Sequence, residues 1–237
     1  MRKNIDSMLG FSIMAIDGEL GKVRDFYFDD ETWKVRYMVV QTGSWLLGRK
    51  VLISFASVKK INCESSTFLV DLSCEQVRNS PDIDTEKPVC RQHELELHEH
   101  YMLPAYWINT PGVAWGINDY PPFEVAETEK EEDKDKEKET SALPGDNQHL
   151  RSTKQITGYL IHAVDGEIGH VKDFIVELGT WLITFLLVDT RNLLAGRKII
   201  LSTEKIKRIE WADSEVYVSI SRGSIIESPE FDLDKDL

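Results

Sequence analysis

Acidic side chains recur at two places in the sequence with the same spacing. Residues 17–26 read DGELGKVRDF and residues 165–174 read DGEIGHVKDF. Clustered carboxylates can bind hard cations or act as general acids and bases. However, the two copies share no His, Cys or Ser that would complete a catalytic set. We therefore interpret the first Asp of each copy as a turn residue and the other acids as acceptors for nearby backbone amides. The residues concerned are Asp17, Glu19, Asp25, Asp165, Glu167 and Asp173.

A second group with metal-binding chemistry lies in the middle of the chain, in the run QHELELHEHY. On a helix, His93, Glu96 and His100 share one face, and a His, Glu, His set can hold zinc. The spacing differs from the HExxH pattern of zinc proteases. We favour an exposed amphipathic helix and expect neither a metal nor a cofactor. Its packing residues would be Leu95, Leu97 and Met102.

Both copies carry a loop rich in apolar residues, SWLLGRK at 44–50 and NLLAGRK at 192–198. These side chains either cover the end of a barrel or form an interface patch, because exposed Trp and Leu often mark binding sites. Both interpretations stay open, and the loop is our best candidate for a binding site. The two arginines can also be interpreted as partners of the repeated acids. The candidate interface residues are Trp45, Leu46, Leu47, Arg49, Leu193, Leu194 and Arg197.

The sequence contains no nucleophile elbow, P-loop or GxGxxG motif. The glycine pairs in GELGKV and GEIGHV fit hairpin geometry better than phosphate binding. Here the Asp-Gly dipeptide supplies the positive φ of a tight turn, and the next glycine opens a strand. These turn residues are Asp17, Gly18, Gly21, Asp165, Gly166 and Gly169. We therefore expect a protein that is not an enzyme.

The secondary-structure elements that position these residues also belong to a sequence repeat. With an offset of 148, residues 9–84 align without gaps to residues 157–232, and 27 of the 76 positions are identical. A repeat of this length predicts two small modules. We divide the chain into a first barrel, a connector with a helix and an aromatic arm, a charged flexible linker and a second barrel. Their bounds are 1–84, 85–126, 127–152 and 153–237.

Each module is predicted to be mainly β, a small antiparallel barrel of six short strands. The third strand, WKVRYMVVQT or WLITFLLVDT, is apolar on both faces, whereas a strand with one wet face alternates. Its outer face must pack against the sister module, a connector helix or a second chain. Ser73 and Gln76 fit a capping box, which predicts a short helix after the first barrel. Gly223 weakens the corresponding helix in the second copy.

The chain is acidic, with 28 basic and 41 acidic residues and a formal net charge of −13. This charge argues against direct binding to nucleic acid, which needs a basic surface. Residues 127–139 alone carry 4 basic and 8 acidic side chains, as is typical of a flexible tether. The three cysteines form no disulfide pattern. We see no signal peptide and no run of about 18 apolar residues, and we therefore predict a cytoplasmic protein without a transmembrane segment.

The repeat DGExGxVxDF, followed by a Trp-led apolar strand and the loop LxGRKxxxS, resembles the PRC-barrel family. That family includes the cytoplasmic barrel of the photosynthetic reaction centre H subunit and the C-terminal domain of the ribosome maturation factor RimM. The resemblance covers both repeats. The connector, with SPDIDTEKPVCRQHE and LRSTKQITGY, resembles that of tandem bacterial stand-alone members. The resemblance implies two PRC-like barrels and a binding role. It does not extend to the membrane helix of the H subunit or to the N-terminal barrel of RimM.

Duplication and resemblance together predict a non-catalytic protein-binding or scaffold protein. One alternative is a peripheral partner of a membrane photosynthetic or electron-transfer complex. Another is a ribosome-associated assembly factor that binds a ribosomal protein. The partner is a protein whose identity the sequence does not give. The barrels pair within one chain or in a homo-oligomer, and peripheral association with a membrane is compatible with either.

Overall fold

The computed structural model of the chain describes residues 1–81, 91–104, 150–190 and 197–226. These residues form a mainly β protein, as predicted, in which the strands join in one sheet. We call residues 1–81 the first module and the described residues from 150 to 226 the second module. The strands of the first module are β1 (Arg2–Asn4), β2 (Ser12–Met14), β3 (Glu19–Asp29), β4 (Lys34–Thr42), β5 (Lys50–Ser54), β6 (Val58–Asn62) and β7 (Thr67–Val70).

The second module contains the same number of strands. They are β8 (Leu150–Ser152), β9 (Leu160–Ala163), β10 (Gly166–Glu177), β11 (Leu182–Asp189), β12 (Lys198–Ser202), β13 (Ile206–Glu210) and β14 (Glu215–Val218). The α-helices of the described residues are short. They are α1 (Cys74–Arg78), α2 (Arg91–His100), α3 (Thr153–Ile156) and α4 (Arg222–Ile226). None of the helices in this described part of the chain has the length and apolarity needed to cross a membrane.

The two modules share one pattern of strand pairing. In the first module, β2 to β5 pair antiparallel in sequence order, and β6 pairs antiparallel with β7. β2 also pairs with β7, and this pair is parallel. The second module repeats the pattern in β9 to β14. The six predicted strands are therefore present in each module, but the pairing is mixed. A 3-10 turn at Phe55–Ser57 joins β5 to β6 without the reversal of a hairpin, so β7 runs parallel to β2.

The first strand of each module pairs with the other module. β1 pairs antiparallel with β10, and β8 pairs antiparallel with β3. Arg2 lies opposite Glu177, and Leu150 lies opposite Asp29. Adding 148 to the numbers of Arg2 and Asp29 gives 150 and 177, so the two pairs occupy equivalent positions in the two modules. The modules thus exchange their first strands around a pseudo-two-fold axis, which makes their contact isologous.

The same axis passes between β4 and β11. The amide of Val35 donates to the carbonyl oxygen of Trp181, and the amide of Ile183 donates to that of Trp33, each at 2.8 Å. These four residues are again related by the offset of 148. Buried apolar residues of both modules form one continuous core. The sister module is therefore one of the partners of the doubly apolar strand.

Each of the two tryptophans belongs to the turn before its strand. Trp33 and Trp181 have φ of 57° and 60°, so β4 and β11 begin one residue later than the sequence predicts. The ring of Trp181 enters the first module, with its centroid 4.3 Å from that of Phe55 and 6.0 Å from that of Phe68. The ring of Trp33 stacks on Phe28 at 5.3 Å. The ring of Trp181 therefore crosses the module boundary.

The exchanged strand β8 corrects the predicted domain boundary. The sequence analysis extends the flexible linker to residue 152, whereas residues 150–152 are paired with β3. Arg151 in this strand forms an ion pair with Asp30 of the first module at 3.0 Å, and its guanidinium lies 3.9 Å from the ring centroid of Trp211 in the second. A strand of three residues is too short to show hydrophobic periodicity, so the sequence carries no signal for it.

The helix predicted after the first barrel is α1, and its capping box is confirmed. Ser73 Oγ accepts from the amide of Gln76 at 3.1 Å, and Gln76 Oε1 accepts from the amide of Ser73 at 2.8 Å. The equivalent helix α4 also forms, despite Gly223, because Ser221 Oγ accepts from the amide of Ser224 at 3.2 Å. A helix predicted in the connector is present as α2. The charged linker and the aromatic arm lie largely outside the described residues.

Candidate protein-binding surface

The first aspartate of each repeat caps a helix of its own module. Asp17 Oδ1 accepts from the amide of Cys74 at 2.8 Å, and Asp165 Oδ1 accepts from the amide of Arg222 at 2.7 Å. Cys74 and Arg222 are the first residues of α1 and α4. The bond from the Cys74 amide is the main reason why the pKa of Asp17 lies below its usual value. The predicted turn residues therefore also hold the last helix of each module against its first hairpin.

The last aspartate of each repeat bonds the other module. Asp25 accepts from the hydroxyls of Ser152 and Thr153 at 2.6 and 3.1 Å and from the amide of Lys154 at 3.2 Å. It also accepts from the next amide in its own strand, that of Phe26, at 2.8 Å. The prediction that the repeated acids accept from backbone amides is confirmed for Asp25, although half of its bonds come from side chains. All the bonds except the last cross the boundary between the modules.

Asp173 makes the equivalent contacts in the opposite direction. It accepts from Asn4 Nδ2 at 2.9 Å, from the amide of Asp6 at 3.1 Å and from the amide of Phe174 at 2.7 Å. Burial raises the pKa of Asp173, and these three bonds oppose only part of that rise. We call Asp25 and Asp173 the clasp aspartates. Glu19 and Glu167, the remaining repeated acids, are exposed.

The predicted turn glycines have different roles from one another. Gly21 and Gly169 sit where β3 meets β4 and β10 meets β11, and a Cβ there would overlap the carbonyl groups of Gln41 and Asp189. The predicted positive φ is present at Gly166, at 134°, but not at Gly18. Gly18 is therefore not required by backbone conformation in the first hairpin.

The three candidate zinc ligands are not assembled into a site. His100 Nε2 donates to the carbonyl oxygen of Gln76 at 2.7 Å, which ties α2 to α1. Glu96 is exposed, and His93 is half-buried. Across residues 1–81, 91–104, 150–190 and 197–226 there is no cluster of three or more His, Cys, Asp or Glu side chains with the geometry of a metal site. The helix packs through Leu97, as predicted, and also through the side chains of Glu94 and His98, and Tyr101 directly after the helix is buried as well.

The apolar loop of the first module divides into a covering part and a projecting part. Trp45 is half-buried, its Nε1 donates to the carbonyl oxygen of Leu20 at 2.9 Å, and Leu46 packs against the core. Leu47 is 98% exposed and has φ of 54°. The covering interpretation therefore applies to Trp45 and Leu46, and Leu47 stays a candidate interface residue. Leu193 and Leu194 lie outside the described residues.

The side chain of Arg49 bonds to backbone carbonyl groups. Arg49 donates to the carbonyl oxygens of Arg78 at 3.2 Å and Ser80 at 2.6 Å, and so holds the end of α1. The carbonyl oxygen of Arg197 accepts from the hydroxyl of Thr190 at 2.7 Å. Asp17 and Asp25 accept hydrogen bonds from other groups, and the pairing of the loop arginines with the repeated acids stays a prediction.

These contacts gather four segments of the first module at the Gly21–Thr42 end of the β3–β4 pair, whereas the sister module pairs with residues 27–29 and 34. They are the β2–β3 turn, the loop at 44–49, α1 and the last turn of α2, and we call this surface the distal end. Three large apolar side chains project from it: Ile16 is 68% exposed, Leu47 98% and Met102 82%. Met102, like Leu47, has a left-handed backbone, with φ of 52°. A non-glycine residue in this conformation is strained, and such strain concentrates at functional positions.

Sequence reasoning missed Ile16 and assigned Met102 to packing. Ile16 is the last residue of a β-rich run that begins at Ser12, whereas the strand stops at Met14. Met102 ends α2 in a Schellman arrangement, in which the amide of Leu103 donates to the carbonyl oxygen of His98 at 2.9 Å. A glycine normally occupies this position, so the sequence gives no sign that the helix stops here.

Comparison with known protein families supports the assignment of the first module. A family model described as the PRC-barrel domain matches residues 2–77. The match begins at β1 and ends within α1, so it contains both the exchanged strand and the hairpin that carries Asp25. A search of the curated proteins finds no match to the chain. Residues 2–77 of this chain are a PRC-barrel domain.

Proposed function

We propose that the chain is a non-catalytic protein-binding or scaffold protein, in which two paired PRC-barrel modules present the distal end of the first to a protein partner. The observation that carries this proposal is the exposure of Leu47 and Met102, two apolar side chains held in solvent by left-handed backbone. A group of exposed apolar side chains on one surface is typical of a protein-binding site.

The repeated acids support a non-catalytic role. The clasp aspartates and the capping aspartates accept hydrogen bonds that hold modules and helices together. The duplication therefore has a structural role, because each module is held by hydrogen bonds to the other module. The partner-binding residues would be those in which the copies differ.

The two copies differ at the distal end. With the offset of 148, Val164 corresponds to Ile16 and Ala195 corresponds to Leu47. The second module therefore offers smaller apolar side chains at the same sequence positions. This difference predicts that the first module provides most of the contact with the partner.

Affinity purification of the tagged full chain from its native cells, followed by mass spectrometry, tests the proposal. We expect a protein partner whose recovery falls by about tenfold with Ile16→Asp combined with Leu47→Asp, since interface anchors often contribute more than 1.4 kcal/mol. Val164→Asp is the matched control and should retain the partner. Equal loss with all variants would contradict the assignment to the first module.

The identity of the partner would also separate the narrower roles. Recovery with membrane fractions would favour a peripheral partner of an electron-transfer complex, and recovery with small ribosomal subunits would favour an assembly factor. The absence of any partner, together with turnover in a screen of metabolites, would contradict a non-catalytic role.

A further inference from the structure

Three exposed cationic side chains lie together on one face of the first module, beside the distal end. Lys22 in β3 and Lys50 in β5 are the register partners of Gln41, which lies between them in β4. Side chains at paired positions of neighbouring strands point to the same face of a sheet. Arg24 joins this row, because its Nε donates to Gln41 Oε1 at 3.2 Å. We call Lys22, Arg24 and Lys50 the basic patch, and all three are exposed.

Gln41 connects the basic patch to the apolar loop. Its Oε1 accepts from Arg24, while its Nε2 donates to the carbonyl oxygen of Gly48 at 3.3 Å. Leu47, which is 98% exposed, directly precedes Gly48. The two hydrogen bonds of Gln41 therefore place three cations next to the most exposed apolar side chain of the distal end.

The second module carries a different set of charges at the same positions. With the offset of 148, the residues that correspond to Lys22, Arg24, Gln41 and Lys50 are His170, Lys172, Asp189 and Lys198. Asp189 lies at the centre of the row, because it is the register partner of both His170 and Lys198. The formal charge of the four positions is thus +3 in the first module and +1 in the second, with histidine neutral. The charges, like the apolar side chains, distinguish the first module as the binding side.

The other charges of the distal end limit the shape of an anionic partner. The chain has a net charge of −13, and the turn and helices of this end expose Glu19, Glu75 and Glu99 beside the cation Arg78. A broad anionic surface, such as a membrane, would lie against these glutamates as well as against the basic patch, and like charges repel. A single extended segment covers less area and can place its carboxylates on the basic patch alone.

We infer that the partner contacts the distal end through a short acidic segment, in which carboxylates pair with the basic patch and a large apolar side chain packs on Leu47. The inference rests on the proposed function and adds the chemistry of the partner. Such a segment matches this surface in both charge and apolarity. Complementary charge of this kind contributes mainly to specificity and to the rate of association. The second module would bind the same segment less well, because Asp189 lies where the first module has Gln41.

Selection from a random peptide library on the immobilised full chain tests the inference. The peptides have about 12 residues and span up to about 40 Å when extended. We expect the enriched peptides to be acidic and to contain a large apolar residue. Fluorescence anisotropy of labelled synthetic copies then gives their affinities for the wild-type chain and its variants. Enrichment of neutral or basic peptides only, or of none, would overturn the inference.

Charge reversal of the basic patch provides the specific readout. Lys22→Glu combined with Lys50→Glu should weaken binding of the acidic peptides by about tenfold, because repulsion replaces two surface ion pairs. Lys22→Arg combined with Lys50→Arg keeps the charge and should retain the affinity. The matched control in the second module, Lys172→Glu combined with Lys198→Glu, should retain it as well. Equal weakening by the two reversals would overturn the inference, because the charge of the whole chain would then decide binding.

Salt and the loop variant separate failure of this inference from failure of the proposed function. An increase in salt from about 0.05 M to about 0.5 M should weaken peptide binding by about tenfold, because exposed charges are screened. Leu47→Asp should weaken it too. Peptides that need Leu47 but respond neither to salt nor to charge reversal would overturn the inference and leave the proposed function intact. Enriched peptides that Leu47→Asp leaves unaffected would contradict the proposed function itself.

Sedimentation with lipid vesicles tests the other class of anionic partner. Vesicles of phosphatidylcholine with about 30% phosphatidylglycerol present a broad anionic surface. We expect the wild-type chain to stay in the supernatant. Sedimentation of the wild-type chain that is abolished by Lys22→Glu combined with Lys50→Glu would overturn the inference, because the basic patch would then bind a membrane.

Discussion

Asn4 Nδ2 donates a hydrogen bond of 2.9 Å to Asp173 Oδ2, although 169 residues separate the two in sequence. Ser152 Oγ donates to Asp25 Oδ2 at 2.6 Å in the equivalent place. Each module thus sends its first strand across the boundary and has it fixed there by an aspartate of the repeat. The most visible motif of the sequence is therefore part of the contact between the two modules.

Removal of a clasp aspartate should destabilise the protein. Asp25→Ala removes the acceptor of four hydrogen bonds, and we expect the free energy of unfolding to fall by about 2–4 kcal/mol. Urea unfolding followed by circular dichroism measures this change. Glu19→Ala, at an exposed repeated acid, is the control and should change stability by less than about 0.5 kcal/mol. Similar effects of both variants would contradict the clasp.

The stability of the protein should depend on pH through Asp173. Burial raises the pKa of Asp173 in the folded state above the unfolded value of about 3.9. Its contribution to stability is therefore fully present below the unfolded pKa and is lost as pH rises through the folded pKa. Asp173→Asn removes this loss. The free energy of unfolding of the variant, relative to that of the wild type, should therefore increase as pH rises above about 4.

The pKa of Asp29 is shifted downwards, in the opposite direction to that of Asp173. The effect of Asp29 on stability therefore falls at more acidic pH than the effect of Asp173→Asn. Burial acts to raise its pKa, but the amide of Thr32 and the ion pair with Arg36 at 3.1 Å outweigh burial and hold the pKa below its usual value. Its contribution is present above about pH 3.9 and is lost as pH falls through the folded pKa. A gain of Asp173→Asn that appeared only below pH 4 would contradict our assignment.

The two glycines at the close strand crossings should not accept a side chain. Gly21→Ala and Gly169→Ala would each place a Cβ against a backbone carbonyl that cannot move without breaking the strand pair. We expect each to reduce the free energy of unfolding by about 3 kcal/mol or more. Gly18→Ala is the matched control, because its Cβ would meet only Cys74 Sγ at 3.4 Å. Thermal melting measures the effect of each variant. Equal melting temperatures for Gly21→Ala, Gly169→Ala and Gly18→Ala would contradict the predicted clash between the added Cβ and the backbone carbonyl.

Trp181 should couple the stability of the two modules. Its ring packs between Phe55 and Phe68 of the first module, so Trp181→Ala leaves a cavity at the boundary and should cost about 3–5 kcal/mol. Trp33→Ala should cost less, because the aromatic contact of Trp33 is with Phe28 of its own module. Urea unfolding of both variants measures the difference. A larger effect of Trp33→Ala would reverse the assigned asymmetry.

The sequence alone determined the mainly β fold, the six strands of each module, the capping box at Ser73 and the helix in the connector. These features depend on neighbouring residues, whose alternation and turn chemistry are visible in one segment. The doubly apolar third strand also revealed that its outer face is covered. It left the sister module, a connector helix and a second chain as alternatives, and the structure places the first two against β4.

Only the tertiary structure decided the exchange of first strands and the contacts of the candidate surface. At the offset of 148, residues 2–8 and 150–156 have no identical positions, so the sequence repeat begins only after the exchanged strands. Asp25 finds its partners more than 120 residues away. The exposure of Leu47 depends on a left-handed backbone that no local pattern predicts for leucine. Long-range pairing and side-chain direction arise from packing, and they become visible only when the modules are folded together.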